Sequence, residues 1–342
     1  MDETTGQDCE QLRSIWDRAS QARVLVAVHD TRLGPAHGGI RRWAYPDVHA
    51  ATLDVVALAR AMTWKCALAE VPAGGGKAVI LDHPGLDRAG AYRAVGRAVE
   101  ALGGAFYTGP DVNTTAADLD VVAEETRFVA TAAPDGPGDL AAATADGVLA
   151  ALLALADRLG RPVDQLRCVV QGLGAVGFDL TRRLHEKGAQ LHVADINTEA
   201  VAKAADMFGA TPVDTSKIHT ADVDVFSPCA LGAVINDDTV GKIQARIVAG
   251  SANNQLADDA HGAALAARGI LYAPDYVINA GGIIEIAHGV DFGGNHDDVE
   301  IYSHLDQIHD TLAEIFQRAD AESATTNVIA DNMAEERFRI VA

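Results

Sequence analysis

Lysine is scarce in this chain: of 27 basic residues only six are lysines. Positive charge is therefore carried almost wholly by arginine, and a lysine that is kept has a claim on a task only an ammonium can do. Lys65 and Lys77 lie twelve residues apart, with no other lysine before Lys187. An ammonium is a compact charge whose pKa falls readily on burial, whereas a guanidinium stays protonated and cannot act as a base. Positive charge is itself in deficit, since 48 Asp and Glu against 27 Lys and Arg leave a net −21. Such a field repels nucleic acid and anionic membrane and argues against both as partners. Solubility or a salty habitat accounts for it more simply than an acidic functional face. Cysteine is sparse too: Cys9, Cys66, Cys168 and Cys229 are far apart and form no C-x-x-C pair, so neither a zinc site nor a disulfide framework is signalled. No apolar run reaches the roughly 18 residues of a membrane span, and the first residues, Met1-Asp2-Glu3-Thr4-Thr5, are acidic and polar. The expectation is a cytoplasmic protein.

The 342 residues exceed what one core usually organises, so two domains are expected. Hydrophobic content of 49% and charged content of 22% fit a soluble globular chain with no low-complexity tract. The stretch Pro72-Ala73-Gly74-Gly75-Gly76-Lys77-Ala78-Val79-Ile80 reads as a glycine loop that delivers Lys77 at the mouth of a buried strand. Upstream, Arg23–His29 reads as a strand ending in a turn. Next, Ala36-His37-Gly38-Gly39-Ile40-Arg41 offers a second glycine pair whose N–H groups could approach an anion. A helix over Ala50–Met62, with Leu53, Val56, Ala57 and Ala61 at helical spacing, would present Lys65 from its end. A second helix, Asp87–Leu102, stops at Gly103-Gly104, and a short strand Ala105–Thr108 runs into Gly109-Pro110-Asp111. Thr115 and Asp118 resemble a capping box, so Asp111 falls on a strand-to-helix loop. That is a customary place for a reactive carboxylate, and equally for a turn carboxylate.

Residues 131–140, rich in Pro and Gly, mark a hinge or domain boundary. Beyond a helix from Thr144 to Leu159, the strand Leu166–Gln171 enters Gly172-Leu173-Gly174-Ala175-Val176-Gly177, and a second strand ends at Asp195, 18 residues after the last glycine. Strand, glycine turn, helix and answering acid together make a dinucleotide fingerprint. Asp195 can accept from the adenosine ribose hydroxyls and would repel a 2′-phosphate, which favours NAD over NADP. Further strands near Val223–Phe226, Ile247–Ala249 and Ile270–Tyr272 end in loops that should line the cofactor crevice, with Asn253 and Asn254 as neutral donors and acceptors or as turn residues. Asn279 opens another helix, His288–His296 reads as a loop without a metal site, and helices Ile301–Ala319 and Asn327–Ile340 close the chain.

These stretches, with Pro228-Cys229-Ala230-Leu231-Gly232, Ala252-Asn253-Asn254-Gln255-Leu256 and Tyr272–Gly282, occur in an order that resembles the Glu/Leu/Phe/Val dehydrogenase family, from about residue 24 to 340. The chain is most similar to the short leucine, phenylalanine and tryptophan branch. The resemblance implies an α/β fold with two domains separated by a cleft. Residues 1–137 would bind substrate and carry the chemistry, with 322–342 returning to them. A Rossmann NAD-binding domain would span 138–321. It implies NAD-dependent, reversible oxidative deamination of a hydrophobic, aromatic L-amino acid to its 2-oxo acid and ammonia by a homodimer or larger homo-oligomer. By motif, Lys65 would hold the substrate carboxylate with the Gly38 backbone, Lys77 would activate water, and Asp111 would exchange protons with the substrate nitrogen. Lys65 beside Lys77 in a closed cleft would lower the pKa of Lys77. Thr144, Asn253, Asn254 and Asn279 match positions near nicotinamide, cofactor and substrate, and Cys229 and Ala230 match cofactor-side positions. Met62, Ile283 and Ile286 match the substrate side-chain pocket. No metal is implied.

The departures bear on substrate. His37 stands where the family often has a small or aliphatic residue, and Glu285 and His288 follow Gly281-Gly282. Either His37 caps a turn, or it stacks on an aromatic substrate or bonds a polar one. A branched-chain or polar amino acid dehydrogenase, a metal-dependent two-domain dehydrogenase and a non-catalytic NAD sensor are the competing readings.

Overall fold

A computed structural model describes residues 9–130, 139–288 and 298–340. They divide into two compact units: 9–130, 286–288 and 334–340 form the first, and 139–285 and 298–333 the second. The Pro/Gly segment 131–138 and most of the 288–296 stretch lie outside the described residues.

The first unit is a five-stranded sheet in the order β1-β2-β4-β3-β5: β1 (Gln11–Asp17), β2 (Ala22–Asp30), β3 (Ala36–Trp43), β4 (Gly74–Leu81) and β5 (Phe106–Pro110). β1 pairs antiparallel with β2, and β2 with β4, whereas β3 runs parallel to both β4 and β5. The sequence reading missed β1, whose signal is an alternation of half-buried and exposed residues on an edge strand. The glycine stretch read as a loop is strand, with Gly74–Gly76 opening β4, and the second glycine pair, Gly38-Gly39, lies inside β3. The physical reason is in the helix above. In α1 (Val48–Leu68) the backbone passes so close to β4 that a Cβ on Gly75 would lie 2.2 Å from Ala59 O and 2.2 Å from Thr63 N. The helix is capped by the Asp47 carboxylate, which accepts from Ala50 N. Its buried face carries Val55, Val56, Leu58 and Ala59, while Leu53 and Ala57 are exposed, so the apolar stripe is rotated from the one expected. The opposite face of the sheet packs on α2 (Arg88–Glu100) and α3 (Ala116–Ala123), with Tyr92, Val95 and Phe106 fully buried.

The second unit is an all-parallel sheet in the order β11-β10-β9-β6-β7-β8: β6 (Arg167–Gln171), β7 (Gln190–Ala194), β8 (Thr211–Pro212), β9 (Val225–Pro228), β10 (Ile247–Val248) and β11 (Leu271–Tyr272). Its helices are α4 (Leu140–Leu159), α5 (Ala175–Glu186), α6 (Thr198–Phe208), α7 (Ala260–Ala267), α8 (Asp275–Ile278), α9 (Gly281–Ala287), α10 (Asp298–Glu322) and α11 (Thr326–Ile340), the last running on into residues of the first unit. This is the α/β doubly wound arrangement expected of a Rossmann domain. By length and composition α4 could cross a membrane, contrary to the sequence reading, because alanines carry its hydropathy across Thr144, Asp146 and Gly147. It packs as a core helix, with 56% of its apolar window buried. The C-terminal return to the first unit begins at residue 334, not 322. Before that point Thr326 Oγ1 donates to Tyr272 O at 2.7 Å, within the second unit, and after it Arg337 donates to Leu68 O at 2.8 Å, within the first.

Candidate active site

Strand alternation places Lys77 on the same face of β4 as Gly75 and Val79, the face that α1 covers. Lys77 is 6% exposed, and a buried ammonium needs a counter-charge. Asp111, immediately after β5, supplies it: Lys77 Nζ lies 3.1 Å from Asp111 Oδ2. The same oxygen accepts from Arg41 Nε at 3.0 Å. Arg41, on β3, reaches on through Nη1 to Asp54 Oδ2 on α1 at 3.3 Å, and Tyr45 OH donates to that second carboxylate. Lys77 is thus paired with Asp111. Burial would raise the pKa of Asp111, but the charges and hydrogen bonds of Lys77 and Arg41 outweigh it and hold the carboxyl below its usual range. The loop that carries Asp111 is stitched to β3: Thr114 Oγ1 donates to Ile40 O at 2.5 Å, Asn113 Nδ2 to Arg42 O at 3.0 Å and Arg42 N to Val112 O at 3.1 Å. The capping box of Thr115 and Asp118 is present, so the loop enters α3 in a fixed register.

Lys65 sits in the last turn of α1, half-buried, one turn beyond Met62. Met62 Cγ would be 3.5 Å from a Cβ on Gly38, so helix and strand β3 approach closely there. His37 is 6% exposed and lies within a strand, not a turn; its ring stacks on Tyr107 of β5 at 5.4 Å and 15°. Burial pushes its pKa down to about 4, so the imidazole is neutral near pH 7. Sequence reasoning missed Arg41, Asp54 and Tyr45. The one available signal for Arg41 was strand alternation, which puts residues 37, 39 and 41 on one face.

In the second unit, Gly172 ends β6 with φ of +95°, and a Cβ there would lie 2.8 Å from Ala230 Cβ. Gly174 caps α5 with nothing within 4 Å of its absent Cβ, leaving the helix N-terminus at Ala175 and Val176 open. Gly177 packs that helix back against Gly172 O and Cys229. A groove of about 400 Å³ beside this turn is lined by Leu173, Gly174, Phe178 and Lys203 among others. Asp195, at the end of β7, accepts from Leu173 N at 2.5 Å and Asn197 N at 2.7 Å, which fixes the acid over the turn. Asn279 Nδ2 donates to Asn253 Oδ1 at 2.8 Å and to Ser251 O at 3.2 Å, while its buried Oδ1 has no partner. An open helix terminus, an acid at the next strand end and an orphaned carboxamide oxygen fit a dinucleotide. Asn254, at φ of +52°, is held by Asp275 Oδ2, which accepts from its N–H at 2.8 Å. Thr144 Oγ1 donates back to Leu140 O at 2.7 Å, close to Gly282. Ile283 and Glu285 are buried in this unit, and Ile286 is half-buried and grouped with the first. Among the described residues no cluster of His, Cys, Asp or Glu could hold a metal ion.

Residues 14–133 match the profile of the Glu/Leu/Phe/Val dehydrogenase dimerisation domain, and residues 191–340 that of glutamate/leucine/phenylalanine/valine dehydrogenase. The chain is 43% identical over 336 residues to leucine dehydrogenase of Geobacillus stearothermophilus, covering 97% of this chain and 91% of that one. It is 42% identical over 340 residues to phenylalanine dehydrogenase of Bacillus thermotolerans, covering 96% and 88%. The crystal structure of L-tryptophan dehydrogenase from Nostoc punctiforme matches with a TM-score of 0.84 at 39% identity, covering 100% of this chain and 99% of that one.

Proposed function

The chain belongs to the Glu/Leu/Phe/Val dehydrogenase family, an amino acid dehydrogenase acting on CH–NH2 donors, and from that premise we propose that it catalyses reversible, NAD-dependent oxidative deamination of a hydrophobic, aromatic L-amino acid. In the forward direction the amino acid, NAD and water give the 2-oxo acid, ammonium, NADH and a proton. The observation that carries the reading is the buried contact between Lys77 and Asp111.

The second unit holds the dinucleotide through the open N-terminus of α5, Asp195 and the Asn253–Asn279 pair. NAD, once bound, supplies the hydride acceptor. Asp195 selects against a 2′-phosphate by charge, which is the ground for NAD over NADP. In the first unit Lys65, with the Gly38 N–H, holds the substrate carboxylate. Lys77 takes the proton of the water that attacks the imino carbon, and Asp111 passes a proton to and from the substrate nitrogen. The two groups touch at 3.1 Å, so a proton gained by one is electrostatically coupled to the other.

The neutral His37 offers no cation to an acidic substrate side chain, and its flat stack on Tyr107 suits a planar one. A branched-chain aliphatic substrate is the second reading, favoured by the 43% identity to a leucine dehydrogenase. We also read the protein as a homodimer or larger homo-oligomer, because its first half matches a dimerisation-domain profile; light scattering after gel filtration checks this. None of the four described cysteines is in a disulfide, which agrees with a reducing, cytoplasmic setting. A steady-state screen of aromatic, aliphatic and acidic 2-oxo acids with ammonia and NADH tests the function. Fastest turnover of an aromatic acid is expected; preference for an acidic one overturns the substrate assignment, and silence across the panel overturns the activity.

A further inference from the structure

Asp111 meets two cations of different kinds on one oxygen. Lys77 Nζ at 3.1 Å and Arg41 Nε at 3.0 Å both face Oδ2, from the adjacent strands β4 and β3. Arg41 does not end there. Its Nη1 lies 3.3 Å from Asp54 Oδ2 on α1, and Tyr45, just ahead of that helix, donates its hydroxyl to the same atom. The Arg41 and Asp111 side chains are 16% and 10% exposed, so these charges interact with little water between them. With Lys77 and Arg41 positive, Asp111 and Asp54 negative and Tyr45 neutral, the cluster balances.

The two cations differ in what they can lose. An ammonium releases its proton when its surroundings favour it, whereas a guanidinium stays charged at any working pH. If Lys77 accepts a proton during turnover, it enters that step neutral, and Asp111 then loses one of its two counter-charges as it exchanges a proton with the substrate nitrogen. The charge that remains is on Arg41. Its fork is fixed at both ends, by Asp111 and Asp54, so the direction of Nε toward Oδ2 does not depend on the state of Lys77.

We infer that Arg41 is a positioning residue of this reaction: it holds Oδ2 of Asp111 in place and favours the ionised carboxylate to which Asp111 returns after each proton exchange, while Lys77 alternates between its two protonation states, and Asp54 with Tyr45 fixes the direction of the guanidinium. The inference rests on Lys77 and Asp111 being the reacting pair.

Its consequence is a pair of pH shifts with opposite signs. Among the described residues, the charged and titratable groups shown in contact with the pair, directly or through Arg41, are Arg41 from β3, Asp54 from α1 and Tyr45 from the segment before α1. An acid limb in the kcat profile belongs to Lys77 and Asp111 jointly. Arg41→Gln removes a permanent positive charge, so both groups hold protons more tightly and the limb moves up, by about one pH unit or more. Asp54→Asn removes a negative charge from the same cluster, so the limb moves down. Loss of packing alone would not give opposite signs.

The experiment measures kcat and KM against pH for the full-length enzyme and for Arg41→Gln, Arg41→Lys and Asp54→Asn, each with a thermal melt. Arg41→Gln is expected to lower kcat about tenfold or more while KM for the amino acid changes less than about threefold. Arg41→Lys should bring the limb back toward wild type without restoring full kcat, because it returns the charge but not the fork. An unshifted limb in Arg41→Gln overturns the inference, as does a shift of the same sign in Arg41→Gln and Asp54→Asn. Should Arg41→Gln not fold, Arg41→Lys and Asp54→Asn decide it: a limb that fails to move down in Asp54→Asn is the refuting result. If Lys77→Ala keeps turnover, the reacting pair itself is wrong; if Lys77→Ala is dead and Arg41→Gln behaves as wild type, only the role of Arg41 fails.

Discussion

Replacing Gly75 by alanine adds one methyl group where the first unit has no room for it. The new Cβ would lie 2.2 Å from Ala59 O, 2.2 Å from Thr63 N and 2.5 Å from Thr63 Oγ1. Two of these three atoms are helix backbone, so relief requires α1 to move as a body or β4 to bend. Overpacking of a close-packed interior costs about 1–3 kcal/mol, and a clash with backbone belongs at the upper end. About 3 kcal/mol lowers the melting midpoint of a unit this size by roughly 6–12 °C. The same movement shifts Lys65, which rides in the last turn of α1, so KM for the amino acid should rise as well. Gly85→Ala is the control: its Cβ meets only His83, at an ordinary 3.6 Å, and should change stability by less than about 1 kcal/mol. Scanning calorimetry with steady-state kinetics on both variants is the assay. A Gly75→Ala protein that melts within about 2 °C of wild type with unchanged KM would refute the argument that helix and strand are in backbone contact.

Three further outcomes are expected. Asp118 is held down to about 2: burial would raise it, but the hydrogen bonds from Arg88 and Thr115 outweigh that. Because its folded pKa lies below its unfolded one, the stability it adds is present above pH 4 or so and lost as pH falls toward 2; Asp118→Asn should cost about 2 kcal/mol at neutral pH by denaturant titration, a gap that closes by about pH 2. Asp195→Ala should weaken NAD binding about tenfold or more by calorimetry and reduce discrimination against NADP; unchanged binding of both would remove the acid from cofactor selection. His37→Leu should alter the ranking among aromatic, aliphatic and polar amino acids in a substrate panel, and an unchanged ranking would mean that His37 only packs on Tyr107.

The second unit was legible because its signals are local. A βαβ turn needs glycines and an acid at fixed spacing, and Gly172, Gly174, Gly177 and Asp195 stand where that chemistry requires them. The glycines of the first unit misled for the opposite reason. A glycine that frees a loop and one that admits a helix look alike in sequence, and only the approach of Ala59 and Thr63 to Gly75 distinguishes them. Lys77 and Asp111 could be singled out by the rarity of lysine and the strand-to-helix loop. Strand alternation could place Arg41 on a face but not name its partners, since Asp111 and Asp54 are 70 and 13 residues away and nothing local records them. The stripe on α1 was rotated because alanine is apolar enough to suit either face, as Ala57 and Ala59 demonstrate.

Whether Lys77 acts as the base of an amino acid dehydrogenase is tested directly by one comparison: NADH formation from a hydrophobic L-amino acid by wild type and by Lys77→Ala, with NAD binding measured calorimetrically on the same preparations. Wild type should produce NADH, and Lys77→Ala should bind NAD with unchanged affinity and produce none. Turnover by Lys77→Ala at a rate near wild type would show that Lys77 is not the base.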